Sequence, residues 1–232
     1  MVRISLCIVA AALSIVATAA RADPFHGGPG VDFGRQPPAG RLAQYQPRGA
    51  AAPAATKQPQ TAVQSAASVY LLRGFMNVFS LGIDDLAAKI EANGITAAVA
   101  NHADAETFID QIVARYAAGD RGAVILIGHS FGADAVIEMA QALDRANIPV
   151  ALLILFDGTA PHQVPGNVAT AVNFTLRYDL TPGGGFHGTI SNVDLSGAGG
   201  IDHFTIDKSP SLQAEALAYV LQAAAPAPER RR

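Results

Sequence analysis

Cysteine is almost absent from this 232-residue sequence, and the single copy is Cys7. It lies in an apolar, alanine-rich stretch that follows Arg3 and ends at Ala20-Arg21-Ala22, a pattern typical of an export signal. We therefore expect residues 1–22 to be a signal peptide, the protein to be periplasmic or secreted, and no stable membrane anchor to remain after cleavage. A retained anchor is the alternative, although the run is short for a span of about 20 residues. The processed chain would have no disulfide, no thiolate metal ligand and no cysteine nucleophile.

Charged residues are also scarce. They make up 15% of the chain, the formal net charge is −3, and the only clustered basic residues are the three arginines at 230–232. This composition argues against nucleic-acid binding. Residues 23–66 are rich in proline, glycine, alanine and glutamine and lack apolar periodicity, which is typical of a flexible linker. We expect one folded domain over residues 67–225, followed by a flexible tail at 226–232.

The folded part alternates between apolar runs and helical patterns. The predicted strands cover residues 68–74, 95–100, 122–128, 150–156, 169–176 and 189–195. Continuous apolar strands that alternate with helices predict an α/β fold, with a doubly wound, mostly parallel sheet of about six strands and helices on both faces. Ligands bind such sheets at the carboxyl ends of the strands, so functional side chains are expected just after a strand.

One such side chain is Ser130, which lies between Gly128 and Gly132 where an apolar strand meets a helical pattern. A serine there occupies a tight turn that exposes its hydroxyl. Side chains two residues before and after it would collide with the packed strand and helix, and glycine removes both collisions.

The GHSFG stretch at 128–132 resembles the nucleophile elbow of the α/β-hydrolase superfamily, and the resemblance extends over the folded part of the chain. It is closest in kind to thioesterase- and lipase-type members. Only about a dozen residues separate the strands that end near 156 and begin near 169, which is too few for a cap domain. The resemblance therefore implies a minimal α/β-hydrolase fold.

The resemblance also implies an order of catalytic residues: serine, then an acid, then histidine. Asp157 in LFDG looks like the acid of thioesterase-type members, and Asp179 stands where most other members have it. His203, just before the last helical pattern, has the place of the base, with His187 in reserve.

Two backbone N–H groups should form an oxyanion hole. The resemblance assigns one to Phe131 and the other to Phe75, with Met76 as the next candidate.

These assignments predict a serine hydrolase that cleaves an ester or thioester through a triad of Ser130, His203 and Asp157 and an acyl-enzyme. Its partner would be a small-molecule acyl ester or thioester, without cofactor or metal. An inactive binding protein with the same fold, or an acyltransferase using the same triad, are the alternatives. The sequence predicts no oligomeric state.

Overall fold

The protein is described by a computed structural model that covers residues 67–75 and 80–225. The predicted signal peptide, linker and tail therefore lie outside the described residues. The strands are β1 (Ser68–Arg73), β2 (Thr96–Asn101), β3 (Val124–His129), β4 (Leu152–Phe156), β5 (Gln163–Val164), β6 (Thr170–Thr175), β7 (Thr181–Pro182) and β8 (Thr189–Asp194). The helices are α1 (Leu81–Ala92), α2 (Ala105–Ala117), α3 (Phe131–Arg145) and α4 (Pro210–Ala224), with short 3₁₀ helices at His102–Asp104 and Ile206–Lys208.

Six strands form one parallel sheet in the order β2-β1-β3-β4-β6-β8, and β5 and β7 form a separate two-stranded pair. Helices α2 and α3 pack on one face of the large sheet, and α1 and α4 pack on the other. The predicted α/β fold, a doubly wound sheet of six strands covered on both faces, is confirmed. The segment between β4 and β6 contains β5 and no helix, so it adds no cap domain there.

The order of the strands places a crevice above β1 and β3. After β1 the chain moves outward to β2, then returns past β1 to β3 and continues to β4. Such a reversal opens a crevice at the carboxyl ends of the two strands on either side of it, which is where open α/β sheets bind ligands. Gly74 follows β1 and Ser130 follows β3, so both lie at this crevice.

The last helix differs from its predicted packing in one residue. The helical spacing of Leu217, Val220 and Leu221 in the sequence predicts all three on the inner face of α4. Val220 is fully buried and Leu217 is partly buried against the same cluster, but Leu221 is 40% exposed. Successive residues of an α-helix lie about 100° apart around its axis, and Leu221 is turned away from the face that buries Val220. Within the described part of the chain, no helix is long and apolar enough to cross a membrane.

Candidate active site

Ser130 occupies a sharp turn between β3 and α3. Its backbone has φ 57° and ψ −126°, a conformation that costs a non-glycine residue about 1–3 kcal/mol. The turn is held from the neighbouring strand, because the N–H of Ser130 donates to the carbonyl oxygen of Phe156 at 3.0 Å. The side chain lies in the crevice above the sheet, and the residue is 7% exposed.

Neighbouring backbone atoms leave no room for a side chain at either of the two flanking glycines. A Cβ at Gly128 would overlap the carbonyl group of Gly132 in the first turn of α3. A Cβ at Gly132 would overlap the carbonyl group of Leu72 on β1. The first collision involves the helix and the second the adjacent strand, so glycine at both positions lets α3 pack directly on the sheet.

The structure brings the three predicted triad residues together. The Nε2 atom of His203 is 2.9 Å from the Oγ atom of Ser130, and its Nδ1 atom is 2.5 Å from the Oδ2 atom of Asp157. Asp179 and His187 are both exposed, and neither takes part in this chain of hydrogen bonds. The geometry therefore favours Asp157 and His203, whose catalytic roles stay a prediction.

Asp157 is fully buried at the end of β4, and its backbone also has a positive φ, 45°. Its N–H donates to the carbonyl oxygen of Phe174 at 2.8 Å, so β6 fixes the turn. Burial alone raises the pKa of its carboxyl group. Hydrogen bonds from His203, from the N–H of Leu176 and from Arg177 outweigh that effect and hold the pKa below its usual value. The group is therefore a carboxylate at neutral pH and can stabilise a positive charge on the imidazole.

Arg177 belongs to this site and was not predicted from the sequence. One of its terminal nitrogens, Nη2, lies 2.9 Å from Oδ2 of Asp157 and 3.2 Å from Nδ1 of His203. The guanidinium thus shares a carboxylate oxygen with the imidazole, and its side chain is 44% exposed. The sequence shows only an arginine just after β6, and no local pattern links it to an aspartate 20 residues earlier.

The predicted oxyanion donors lie next to the nucleophile. Phe131 is the first residue of α3, so its N–H has no partner within the helix. The loop after β1 passes against Ser130, because a Cβ at Gly74 would be only 2.8 Å from the Cβ of Ser130. Phe75 follows in that loop, and its ring packs edge-on against the ring of Phe131 at 6.2 Å. Met76, the alternative donor, lies outside the described residues.

The carboxylate of Asp134 holds the loop that follows Asp157 through hydrogen bonds. Asp134, in the first turn of α3, accepts a hydrogen bond from the N–H of Thr159 at 2.9 Å and lies 2.7 Å from Nε2 of His162. The helix that begins at the nucleophile therefore also fixes the segment that carries the acid.

A buried polar network lies behind the triad. His129, 1% exposed, is 2.8 Å through Nε2 from the carbonyl oxygen of His203 and 2.8 Å through Nδ1 from the hydroxyl of Ser80. Burial lowers the pKa of His129 to about 4, so its imidazole is neutral at pH 7. Asp207, also 1% exposed, accepts the N–H of Gly82 at 3.0 Å, and burial raises the pKa of its carboxyl group to about 6.

Across residues 67–75 and 80–225, no group of three or more histidine, cysteine, aspartate or glutamate side chains is placed to hold a metal ion.

Comparison with known proteins gives one family match. The model of the thioesterase domain family matches residues 84–185, a region that contains Ser130 and Asp157 and ends before His203. No curated protein sequence matches the chain.

The solved structures that are similar to the chain include those of two proteins. An α/β-superfamily protein from Xanthomonas campestris pv. campestris has 19% identity and a TM-score of 0.40, covering 68% of this chain and 99% of its own. RedJ, a thioesterase of the prodiginine biosynthetic pathway in Streptomyces coelicolor, has 16% identity and a TM-score of 0.40, covering 79% of this chain and 99% of its own. RedJ with a polyethylene glycol molecule in its active site gives 16% identity and a TM-score of 0.39, covering 77% and 98%.

The sheet, its strand order and the turn at Ser130 define an α/β-hydrolase fold. Over residues 84–185 the chain is similar to the thioesterase domain family, which supports a thioesterase-like α/β hydrolase. The match supports hydrolysis of an ester or thioester bond as the type of reaction.

Proposed function

We propose that the protein is a serine hydrolase that cleaves a carboxylic ester or thioester through an acyl-enzyme. One observation carries this proposal: an unbroken chain of hydrogen-bonding distances from Asp157 through His203 to the hydroxyl of Ser130. All three residues lie at the carboxyl edge of the sheet. This is the geometry that turns a serine hydroxyl into a nucleophile.

Each residue would perform one step. His203 takes the proton of Ser130 as the hydroxyl oxygen attacks the acyl carbon, and Asp157 stabilises the imidazolium that forms. The N–H groups of Phe131 and Phe75 stabilise the tetrahedral oxyanion. His203 then gives the proton to the leaving alcohol or thiol. A water molecule, deprotonated by His203, releases the acid and restores Ser130.

The surroundings of Ser130 suit an acyl group that is reached from open solvent. The segment at 157–169 adds no helix above the crevice. Two large apolar side chains remain exposed beside the triad: Phe75 is 46% exposed and Phe204, next to the base, is 54% exposed. Apolar side chains left in water beside a reactive group favour an apolar substrate portion.

The test is covalent labelling with a fluorophosphonate probe, together with matched p-nitrophenyl esters and acyl thioesters of graded chain length. We expect the wild type to be labelled and Ser130→Ala to be unlabelled, with kcat lowered by roughly 10⁴-fold or more. The ratio of ester to thioester turnover identifies the substrate class. A folded wild-type protein that is neither labelled nor active would favour an inactive binding protein.

We also propose that residues 1–22 direct export to the periplasm or beyond the cell. Bacteria expressing the full chain or a variant without residues 1–22 can be fractionated and probed for a carboxyl-terminal tag. The full chain should be found outside the cytoplasm in a shortened form, and the truncated chain should remain in the cytoplasm. A full-length, uncleaved chain in the membrane fraction would indicate a retained anchor instead.

A further inference from the structure

The network behind the triad has a defined hydrogen-bond direction. A carbonyl oxygen only accepts hydrogen bonds, so the contact of 2.8 Å with the oxygen of His203 requires a proton on Nε2 of His129. The Nδ1 atom of a neutral imidazole is then an acceptor. The hydroxyl of Ser80, 2.8 Å away, must donate to it.

The same hydroxyl is also an acceptor. The N–H of Gly74 donates to Oγ of Ser80 at 3.0 Å, which ties the end of β1 to the residue before α1. Gly74 therefore hydrogen-bonds Ser80, Ser80 hydrogen-bonds His129, and His129 hydrogen-bonds the backbone of His203. Ser80 and His129 are each 1% exposed, so solvent does not compete for these contacts.

These three hydrogen bonds, which we call the relay, connect two parts of the proposed catalytic machinery to a central strand of the sheet. One end is the loop that continues from Gly74 to Phe75, the proposed oxyanion donor. The other end is the backbone of the base, His203, which lies in the long connection between β8 and α4. The middle member, His129, is the last residue of β3 and is paired in register with Phe156 of β4.

We propose that Ser80 and His129 are positioning residues. Their hydrogen bonds fix the positions of the loop from Gly74 to Phe75 and of His203 relative to Ser130. This inference rests on the proposed function for its kinetic consequence, while the hydrogen bonds themselves are independent of it. Loss of the hydrogen bonds of Ser80 would leave the surface that binds the substrate intact. It would displace the oxyanion donor and the base, which act in the transition state. The effect therefore falls on kcat and leaves KM nearly unchanged.

The test compares Ser80→Ala with Ser80→Thr, which keeps the hydroxyl. Ser209→Ala is the matched control, because Ser209 is also a buried serine, 8% exposed, and among the described residues its hydroxyl hydrogen-bonds Ser211 and no member of the relay. Direct loss of an oxyanion donor costs roughly 10²–10³-fold in kcat, so an indirect displacement should cost about 10–100-fold. We expect that loss in Ser80→Ala with KM within about twofold, substantial recovery in Ser80→Thr and no change in Ser209→Ala.

A second measurement separates this inference from the proposed function. Nitrogen-15 NMR of the imidazoles in the full chain should show His129 with its proton on Nε2, and Ser80→Ala should shift the resonance of its Nδ1 atom. This outcome supports the relay even in a protein that fluorophosphonate does not label. A wild type that is labelled and active, with Ser80→Ala equal to it in kcat, would overturn the inference. A proton on Nδ1 of His129 would also overturn it.

Discussion

Replacing Asp207 with asparagine should change how the stability of the protein depends on pH. Burial raises the pKa of this carboxyl group from 3.8 to about 6 in the folded chain. Well below pH 3.8 the group is protonated in both the folded and unfolded states, so it imposes no cost. As the pH rises through 6 the folded protein must hold a buried carboxylate, and stability is lost. The gap of about two pH units corresponds to about 3 kcal/mol, since one unit is worth about 1.4 kcal/mol.

The asparagine variant has nearly the same shape and does not titrate. The free energy of unfolding of the wild type, relative to Asp207→Asn, should therefore fall by about 2–3 kcal/mol between pH 4 and pH 7.5. The assay is urea denaturation followed by circular dichroism at half-unit steps of pH. Taking the difference between the two proteins cancels the contributions of titrating groups that lie far from Asp207.

Asp202→Asn provides a control of opposite sign. Hydrogen bonds from the hydroxyl of Thr205 and the N–H of Phe204 hold the pKa of Asp202 below its usual value. The relative stability of the wild type should therefore rise with pH in that comparison. If Asp207→Asn gave a flat difference or the same rising slope, the reasoning would be refuted. It would mean that the N–H of Gly82 at the start of α1 stabilises the anion more than burial destabilises it.

The free energy of unfolding of the wild type should change little between pH 4 and pH 6, because His129 opposes the effect of Asp207. Burial lowers the pKa of His129 from the ordinary value of 6.5 to about 4 in the folded chain, so its contribution to stability is lost as the pH falls from about 6.5 to 4. Asp207 has the opposite slope between pH 4 and 6. The two buried groups, whose Nδ1 and Oδ2 atoms are 4.0 Å apart, offset one another in that window. Asp207→Asn alone should uncover the slope due to His129.

Three further substitutions test the site and its support. Asp157→Asn should lower kcat by about 10³–10⁴-fold, whereas Asp179→Asn should stay within about twofold in the same ester assay; equal losses would contradict the assignment of the acid. Gly132→Ala pushes a methyl group into the backbone of Leu72 and should destabilise the fold by at least about 1–3 kcal/mol, so an unchanged melting temperature would refute the packing argument. Arg177→Gln should lower kcat less than tenfold, because its half-exposed charge is screened by solvent. A loss as large as that of Asp157→Asn would show that Arg177 contacts the substrate directly.

The nucleophile turn was predictable because its signal is local. An apolar strand, a serine between two glycines and a helical pattern follow one another within a dozen residues, and each implies a backbone constraint on the next. The alternation of six apolar runs with helical patterns predicted the sheet for the same reason. The order of the strands then placed Ser130 at the crevice.

The supporting residues were not predictable in this way. Ser80 contacts a histidine 49 positions later, and Asp207 contacts the start of a helix 125 positions earlier. Their partners are set by which strands are neighbours in the sheet, and no spacing in the sequence encodes that. Arg177 was missed because a single arginine after a strand is ordinarily a solvated residue. The prediction for Leu221 is wrong because several apolar residues follow one another near the end of α4. Their spacing does not show which of them face the core.

The three proposed triad members are not held with equal firmness. Ser130 and Asp157 both donate backbone hydrogen bonds to the next strand of the sheet, to Phe156 and Phe174 respectively. His203 lies in the connection from β8 to α4, which includes Gly197 and Gly199, two glycines at which an added Cβ would meet nothing within 4 Å. Gentle heating should therefore abolish turnover through excursions of this connection while the strands are still intact. Recovery on cooling would then be fast, because only one segment has to return.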